Sequence, residues 1–249
     1  MKFNCFLKTG IKLIKNELSL QRSLLTSKEI DENIHFINED KIIINDFSSK
    51  IKPGQRIAIV GPTGAGKTTM VKLLMRFYDV NSGDIVIDNK SIYEITRNSL
   101  RENIGMVLQE TWLCSGTIEE NIKFGKDDAT EEEVITAAKR ANIHDYVMTL
   151  EKGYDTEVGE RGVKLSGGQK QRLCVARAIV KKADILILDD SSSALDYATD
   201  SALRREIKKL DSTVFIVSQR TSSIRHADKI VLLDDGQIQA IGTHQELLE

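Results

Sequence analysis

Residues 61–69 read GPTGAGKTT, fitting G-x-x-x-x-G-K-[ST] through Gly61, Gly66, Lys67 and Thr68. Glycines let a backbone curl until its N–H groups converge on an anion, and Gly61, Gly64 and Gly66 supply that freedom, with Pro62, Thr63 and Ala65 between them. A lysine placed directly after the last glycine reaches the β- and γ-phosphates of a nucleotide. The Thr68 hydroxyl reaches Mg²⁺, and Thr69 adds a second hydroxyl at the start of the following helix. The ligand implied is a nucleoside triphosphate.

A second stretch, ILILDDSSSALD at residues 185–196, ends its run of aliphatic side chains in adjacent carboxylates, Asp189 and Asp190. A run this apolar reads as a strand buried on both faces, and the carboxyl edge of such strands is where α/β sheets bind ligands. A triphosphate site needs a carboxylate to hold Mg²⁺, for which Asp189 is the candidate. Asp190, one residue on, is the candidate general base for the attacking water. A third stretch, KLSGGQKQRLCVARAIV at 164–180, places Ser166 as the cap of a helix whose Gly167 and Gly168 leave its N-terminus bare, an end that attracts anions.

These groups need strands and helices to hold them. QRIAIVG precedes the glycine loop as a strand, and a helix from about Lys67 to Phe77 follows it. KIIIND, DILILD, STVFIVS and DKIVLLD read as further strands. GDIVIDNKSI reads as a hairpin with Asn89 at its turn, and DDGQIQAIG as a second hairpin through its Asp-Gly pair. From about Thr96 to Val180 the pattern is mostly helical. Within it, TEEEVITAAKRANI carries acids in its first turn and Val134, Ala137, Ala138 and Ala141 on one face. This alternation implies an α/β fold with a helical insertion. Tyr93, Trp112 and His144 read as packing or surface residues.

Lys plus Arg number 35 and Asp plus Glu 37, a net charge of −2 that gives no reason to expect a nucleic-acid partner. Cys5, Cys114 and Cys174 show no metal-ligand spacing and read as reduced thiols. No apolar run approaches the roughly 20 residues that span a bilayer, so no transmembrane helix is expected in this chain. Residues 1–30 stand apart. Leu7, Ile11, Ile14, Leu18 and Leu25 recur at helical spacing with Lys8, Lys12, Lys15 and Arg22 between them. A basic amphipathic helix of this kind lies on a membrane surface or a partner, or packs on its own domain.

Five ordered motifs over about residues 31–249 resemble the nucleotide-binding domain of ATP-binding-cassette (ABC) transporters: the P-loop, Gln109 in VLQET, LSGGQ at 165–169, ILILDD, and SALD at 193–196. The resemblance implies a P-loop NTPase fold: a RecA-like core with a mostly parallel sheet, an antiparallel β subdomain and a helical signature subdomain. It implies ATP and Mg²⁺, and two such domains sandwiching two ATP molecules. Each site is then built from one chain's P-loop and the other's LSGGQ, so that Ser166, Gly167, Gly168 and Gln169 serve the partner's nucleotide. Gln109 would contact Mg²⁺ or the attacking water, and Asp196 would couple the two sites. TEVGERG at 156–162 and GTIEENIKFG at 116–125 look like the exporter branch, whose segments here face a membrane-spanning domain. NELSLQRSLLTSKEI resembles the cytoplasmic end of the last transmembrane helix in single-chain exporters. The chain is accordingly expected at the cytoplasmic face of the cell membrane, peripheral through the transporter. The adenine-stacking residue of the family falls nearest Phe36, with His35 and Ile37 competing for the position.

Two residues depart from the family pattern. Active members carry Glu after the Walker B Asp and His in the switch loop, where this chain has Asp190 and Gln219. Together they resemble the degenerate half of a heterodimeric exporter. A soluble ABC ATPase without transport function and a non-hydrolysing nucleotide-gated assembly module remain as rival readings.

Overall fold

The computed structural model describes residues 18–20, 34–38, 41–191, 193–218 and 224–249. They fall into two compact units, one of residues 1–104 with 213–249 and one of residues 105–212. The first unit opens with β1 (Leu18–Leu20), β2 (Ile34–Asn38), β3 (Lys41–Phe47), β4 (Ser49–Ile51) and β5 (Arg56–Val60). It continues through α1 (Lys67–Leu74), β6 (Val86–Ile87), β7 (Lys90–Ser91) and α2 (Arg97–Glu102). β1 pairs antiparallel with both β4 and β6 in a sheet ordered β4-β1-β6-β7. At Leu18–Leu20 the N-terminal helix expected from the sequence is therefore replaced by a strand, because two sheet edges distant in sequence supply its backbone partners. The remainder of the N-terminal segment lies outside the described residues. β2 and β3 form a separate antiparallel pair.

α1 stops short of the expected Phe77 because Arg76 turns left-handed, with φ 50°. The β6–β7 hairpin turns through Asp88 (φ 51°) and Asn89 (φ 60°), the positive pair that a two-residue hairpin requires.

β8 (Ile104–Val107) straddles the boundary between the units, and it is a strand inside the stretch that reads as helical. The second unit then runs α3 (Ile118–Lys123), α4 (Glu131–Arg140), α5 (His144–Met148), α6 (Gly167–Val180), β9 (Ile185–Asp189) and α7 (Tyr197–Ile207). Side-chain caps set most of these helix starts. Thr117 with Glu120, Thr130 with Glu133, and Ser166 with Gln169 each form a capping box, and Asp196 caps α7. Each such cap contributes about 1 kcal/mol. Val134, Ala137, Ala138 and Ala141 are buried, as the spacing on α4 requires. Glu133 also holds Lys126 and Lys182 at 2.7 and 2.6 Å, and these two lysine contacts, with its backbone bond at Thr130, lower its pKa to about 2.

The chain returns to the first unit with β10 (Thr213–Val217), β11 (Lys229–Asp234) and β12 (Gln237–Gly242). There the strands lie in the order β12-β11-β5-β10. β5 is parallel to β10 and to β11, while β12 runs antiparallel to β11 through Asp235 (φ 43°) and Gly236 (φ 73°). All residues of β9 and β10 are buried, as continuous aliphatic runs predict. Among the described residues no helix is long and apolar enough to cross a membrane.

Candidate nucleotide-binding site

The loop at 61–69 connects β5 to α1 in the first unit. Its three glycines have positive φ: 155° at Gly61, 87° at Gly64 and 97° at Gly66. They do so for different reasons. A Cβ on Gly61 would sit 1.9 Å from the Leu233 carbonyl oxygen, and one on Gly66 would meet Ile44 Cδ1 at 2.8 Å and Ile43 O at 3.0 Å. A Cβ on Gly64 would meet nothing within 4 Å, so that position needs glycine for its conformation alone. Gly66 is the N-cap of α1 and no side chain caps it, which suits a helix end built to receive an anion on its first N–H groups. Lys67 is buried, and its ammonium donates to the carbonyl oxygens of Gly61 (2.7 Å) and Pro62 (2.6 Å). Those bonds fold the lysine back over the loop that precedes it. Thr63, Gly64 and Thr68 are exposed, Thr69 is half-buried, and Ala65 lies in the core.

A clamp behind this loop escaped the sequence reading. Gly236, in the β11–β12 turn, donates from its N–H to Ala65 O at 3.2 Å and accepts from Asn45 N at 2.9 Å. A Cβ there would lie 2.3 Å from Ile43 O, so the Asp-Gly pair that makes the hairpin also lets it press against β3. Its sequence signal is that of a hairpin turn, and nothing in it points to the distant loop.

In the second unit, β9 delivers Asp189 at its last residue, only 4% exposed. Asp190 follows with φ 46°, a left-handed conformation that Asp tolerates better than most residues with a Cβ. Gln171 of α6, also missed from sequence, is 1% exposed and bonds to Asp190 O, Ser193 Oγ and Ala194 N. Its signal was present: a polar residue on a helix face that otherwise buries Cys174, Val175 and Ala178.

Ser166 caps α6 as its sequence predicts, its Oγ accepting from Gln169 N at 3.3 Å. The Gln169 side chain returns a bond, Oε1 accepting from Ser166 N at 2.8 Å. Ser166 and Gly167 are exposed at this helix end, while a Cβ on Gly168 would press on Ala194 O at 3.1 Å. Asp196 accepts from Thr199 N (2.9 Å) and Thr199 Oγ1 (2.7 Å), which keeps its carboxyl below the usual range. Gln109 is exposed, just after β8.

The residues the sequence nominates thus gather into two groups, the loop with Lys67 in one unit and Asp189, Asp190, LSGGQ and Asp196 in the other. Mg²⁺ takes oxygen ligands, commonly from one or two side chains together with substrate phosphates, and the Thr68 hydroxyl and Asp189 carboxylate are donors of that kind.

Phe36, the residue nearest the family's adenine-stacking position, is 7% exposed, and its ring centroid lies 5.5 Å from that of Tyr78. Gln219 lies outside the described residues. Tyr93 accepts from Val80 N beneath the Arg76 guanidinium, His144 bonds the Tyr154 hydroxyl, and Trp112 is 55% exposed, in keeping with packing and surface roles.

The sequence model of the ABC transporter family matches residues 44–193, more than half of the chain. YgaD of Bacillus subtilis (strain 168), which carries the name of a multidrug export ATP-binding/permease protein, is 51% identical over 209 residues, covering 83% of this chain and 36% of that protein. A Staphylococcus aureus (strain NCTC 8325) protein of the same name is 47% identical over 240 residues, covering 94% of this chain and 42% of its own. The solved structure of a bacterial Atm1-family ABC exporter with ATP bound superposes with a TM-score of 0.86 at 40% identity, over 94% of this chain and 40% of that one. The chain spans 36–42% of the length of these relatives.

Proposed function

Because this chain belongs to the ABC transporter family, we propose that it is the ATP-binding part of an exporter, retaining Mg-ATP firmly and hydrolysing it slowly at its own P-loop. The observation that carries the binding half is the loop itself: three glycines at positive φ behind a lysine held against its carbonyls. Lys67 meets the β- and γ-phosphates, and the loop N–H groups receive the remaining phosphate charge. Thr68 and Asp189 are the proposed Mg²⁺ ligands, with Gln109 as a further ligand or orienter of the attacking water. Bound there, Mg²⁺ neutralises charge on the transferring phosphoryl group.

The hydrolytic half is weaker for a geometric reason. Aspartate at 190 is one methylene shorter than glutamate, which withdraws its carboxylate by about a bond length, and a misplacement of that size costs on the order of 10²-fold in rate. Gln219 offers an amide where a titratable imidazole serves other members, so it hydrogen-bonds phosphate without carrying charge. The LSGGQ end is intact in sequence and bare at Gly167. It therefore suits service in trans, on the nucleotide of a second, catalytically complete subunit. The assembly proposed is a heterodimer of nucleotide-binding subunits coupled to membrane-spanning domains at the cytoplasmic face of the membrane. The names of the relatives and the TEVGERG and GTIEENIKFG segments support the exporter assignment.

Radiolabelled ATP binding without turnover, compared between wild type and Lys67→Ala, tests the site. Binding lost in the variant supports it, and binding unchanged within about threefold removes the P-loop assignment.

A further inference from the structure

Gln171 is nearly fully buried on the face of α6 that packs Cys174, Val175 and Ala178. A buried primary amide carries two donors and an acceptor, and a leucine would fill the space without that obligation. Both ends of this amide are used, and all three bonds reach the turn that follows β9. Nε2 donates to Asp190 O at 3.3 Å and to Ser193 Oγ at 3.4 Å, and Oε1 accepts from Ala194 N at 3.1 Å. Three residues earlier on the same helix, the Gly168 backbone packs so closely on Ala194 O that an added Cβ would lie 3.1 Å from it. The LSGGQ end of α6 and the 190–194 turn are therefore joined twice within one unit, once by packing and once by an amide. Asp190 itself holds φ 46°, a conformation that persists in a residue with a Cβ when its surroundings impose it. The Gln171 bond to its carbonyl stands beside one from Ser193 N at 3.1 Å, and it is the one that reaches the turn from α6.

We propose that Gln171 is a positioning residue for ATP hydrolysis, tying the LSGGQ end that faces the partner's nucleotide to the Asp190–Asp196 turn that faces the chain's own. The proposal rests on the ATP-site reading above. Gln171 touches no nucleotide in this scheme. Its amide fixes the angle at which α6 presents Ser166 and Gly168 once the 190–194 turn has settled around this chain's bound ATP. Removing the amide uncouples the two without removing any group that binds phosphate.

The test uses the purified transporter complex containing this chain, with ATP as the probe. Gln171→Leu is expected to lower kcat about tenfold while KM and ATP binding without turnover stay within about twofold. The Tm of the complex is expected to stay within about 2 °C of wild type. Gln171→Glu keeps an acceptor for Ala194 N but sets a carboxylate oxygen against Asp190 O, so kcat is expected to stay about tenfold below wild type. Unchanged kcat in Gln171→Leu overturns the proposal, and so does a fall in which binding and Tm drop in step with kcat, since that marks a structural role only. If the leucine variant does not assemble, the glutamate variant decides, and wild-type kcat there overturns the proposal. Lys67→Ala in the same complex separates the two levels of inference. Retained ATP binding in that variant defeats the underlying site, whereas lost binding there with unchanged Gln171→Leu turnover defeats the coupling alone.

Discussion

The loop at 61–69 reaches positive φ only at Gly61, Gly64 and Gly66, whereas the turn after β9 reaches it at Asp190. In the first case the conformation costs no side-chain strain, and the backbone is free to be shaped around phosphate. In the second a residue with a Cβ sits in the left-handed region, its carbonyl accepting from Ser193 N at 3.1 Å and from Gln171 Nε2 at 3.3 Å. The two units thus show different kinds of preparation. The glycine loop takes its conformation at glycines, with the Gly236 turn clamped behind it, while the turn bearing Asp190 is bonded to another helix. The proposed function assigns binding to the first region and hydrolysis to the second.

The largest effect expected is on the glycine loop. Lys67→Ala removes the charge that meets the β- and γ-phosphates and lowers Mg-ATP affinity by at least about a hundredfold in a direct titration. A loss under about threefold would remove Lys67 from the phosphate site. Next in size is Gly168→Val. Its side chain presses on Ala194 O and covers the LSGGQ helix end, so ATPase of the mixed complex falls at least about tenfold while ATP binding by this chain's own P-loop is unchanged. Weakened binding by the isolated chain would place LSGGQ in cis and contradict the arrangement proposed.

Much of the glycine loop could be read directly, because the Gly-Lys-Thr chemistry, the preceding aliphatic strand and the following helix are all local in sequence. The caps at Thr130, Ser166 and Asp196 are local too, each set within three residues. What escaped depends on contacts between distant segments. β8 has only four residues, too few for periodicity to separate strand from helix, and its Gly105 is explained by the close approach of Ala178 O, 3.1 Å from an added Cβ. Leu18–Leu20 fits a helical stripe equally well until β4 and β6 are in place beside it. Phe36 has the same aromatic ring whether it stacks on a base or fills a core, and its burial beside Tyr78 is not legible in the sequence. Gly236 and Gln171 look like a turn glycine and a helix glutamine until the elements they clamp are known.

Smaller effects sharpen the same contrast. Gly236→Ala places a methyl on Ile43 O at φ 73°, and the strain is expected to cost about 1–3 kcal/mol, or a fall in Tm of roughly 2–10 °C. Because Gly236 also holds Ala65 O, ATP binding should weaken along with stability, which thermal shifts with and without nucleotide would separate. An unchanged ATP-induced shift would remove the clamp from the account. Smallest is Glu133→Gln, far from either nucleotide motif. Its carboxylate is held at about 2 by Lys126 and Lys182, so the folded state favours the ionised form. The stabilisation is complete above the ordinary glutamate pKa and is lost as pH falls from there toward about 2. The variant should therefore be slightly less stable at neutral pH and lose less on acidification, measured by denaturant midpoints at about pH 7 and about pH 3. Identical midpoint shifts in both proteins would contradict it.

This chain's site is proposed to bind ATP with a complete loop and to hydrolyse it with a base set too far from the water. Single-turnover hydrolysis of ATP held at this chain's P-loop tests it, in a complex whose partner site is disabled but whose partner signature is intact. Asp190→Glu is predicted to raise the single-turnover rate by about tenfold or more with ATP affinity unchanged, and adding Gln219→His to raise it further, while Asp190→Asn lowers the already slow rate by no more than about threefold. Fast turnover in the wild type that Asp190→Asn abolishes would show Asp190 to be a competent base and would contradict the account.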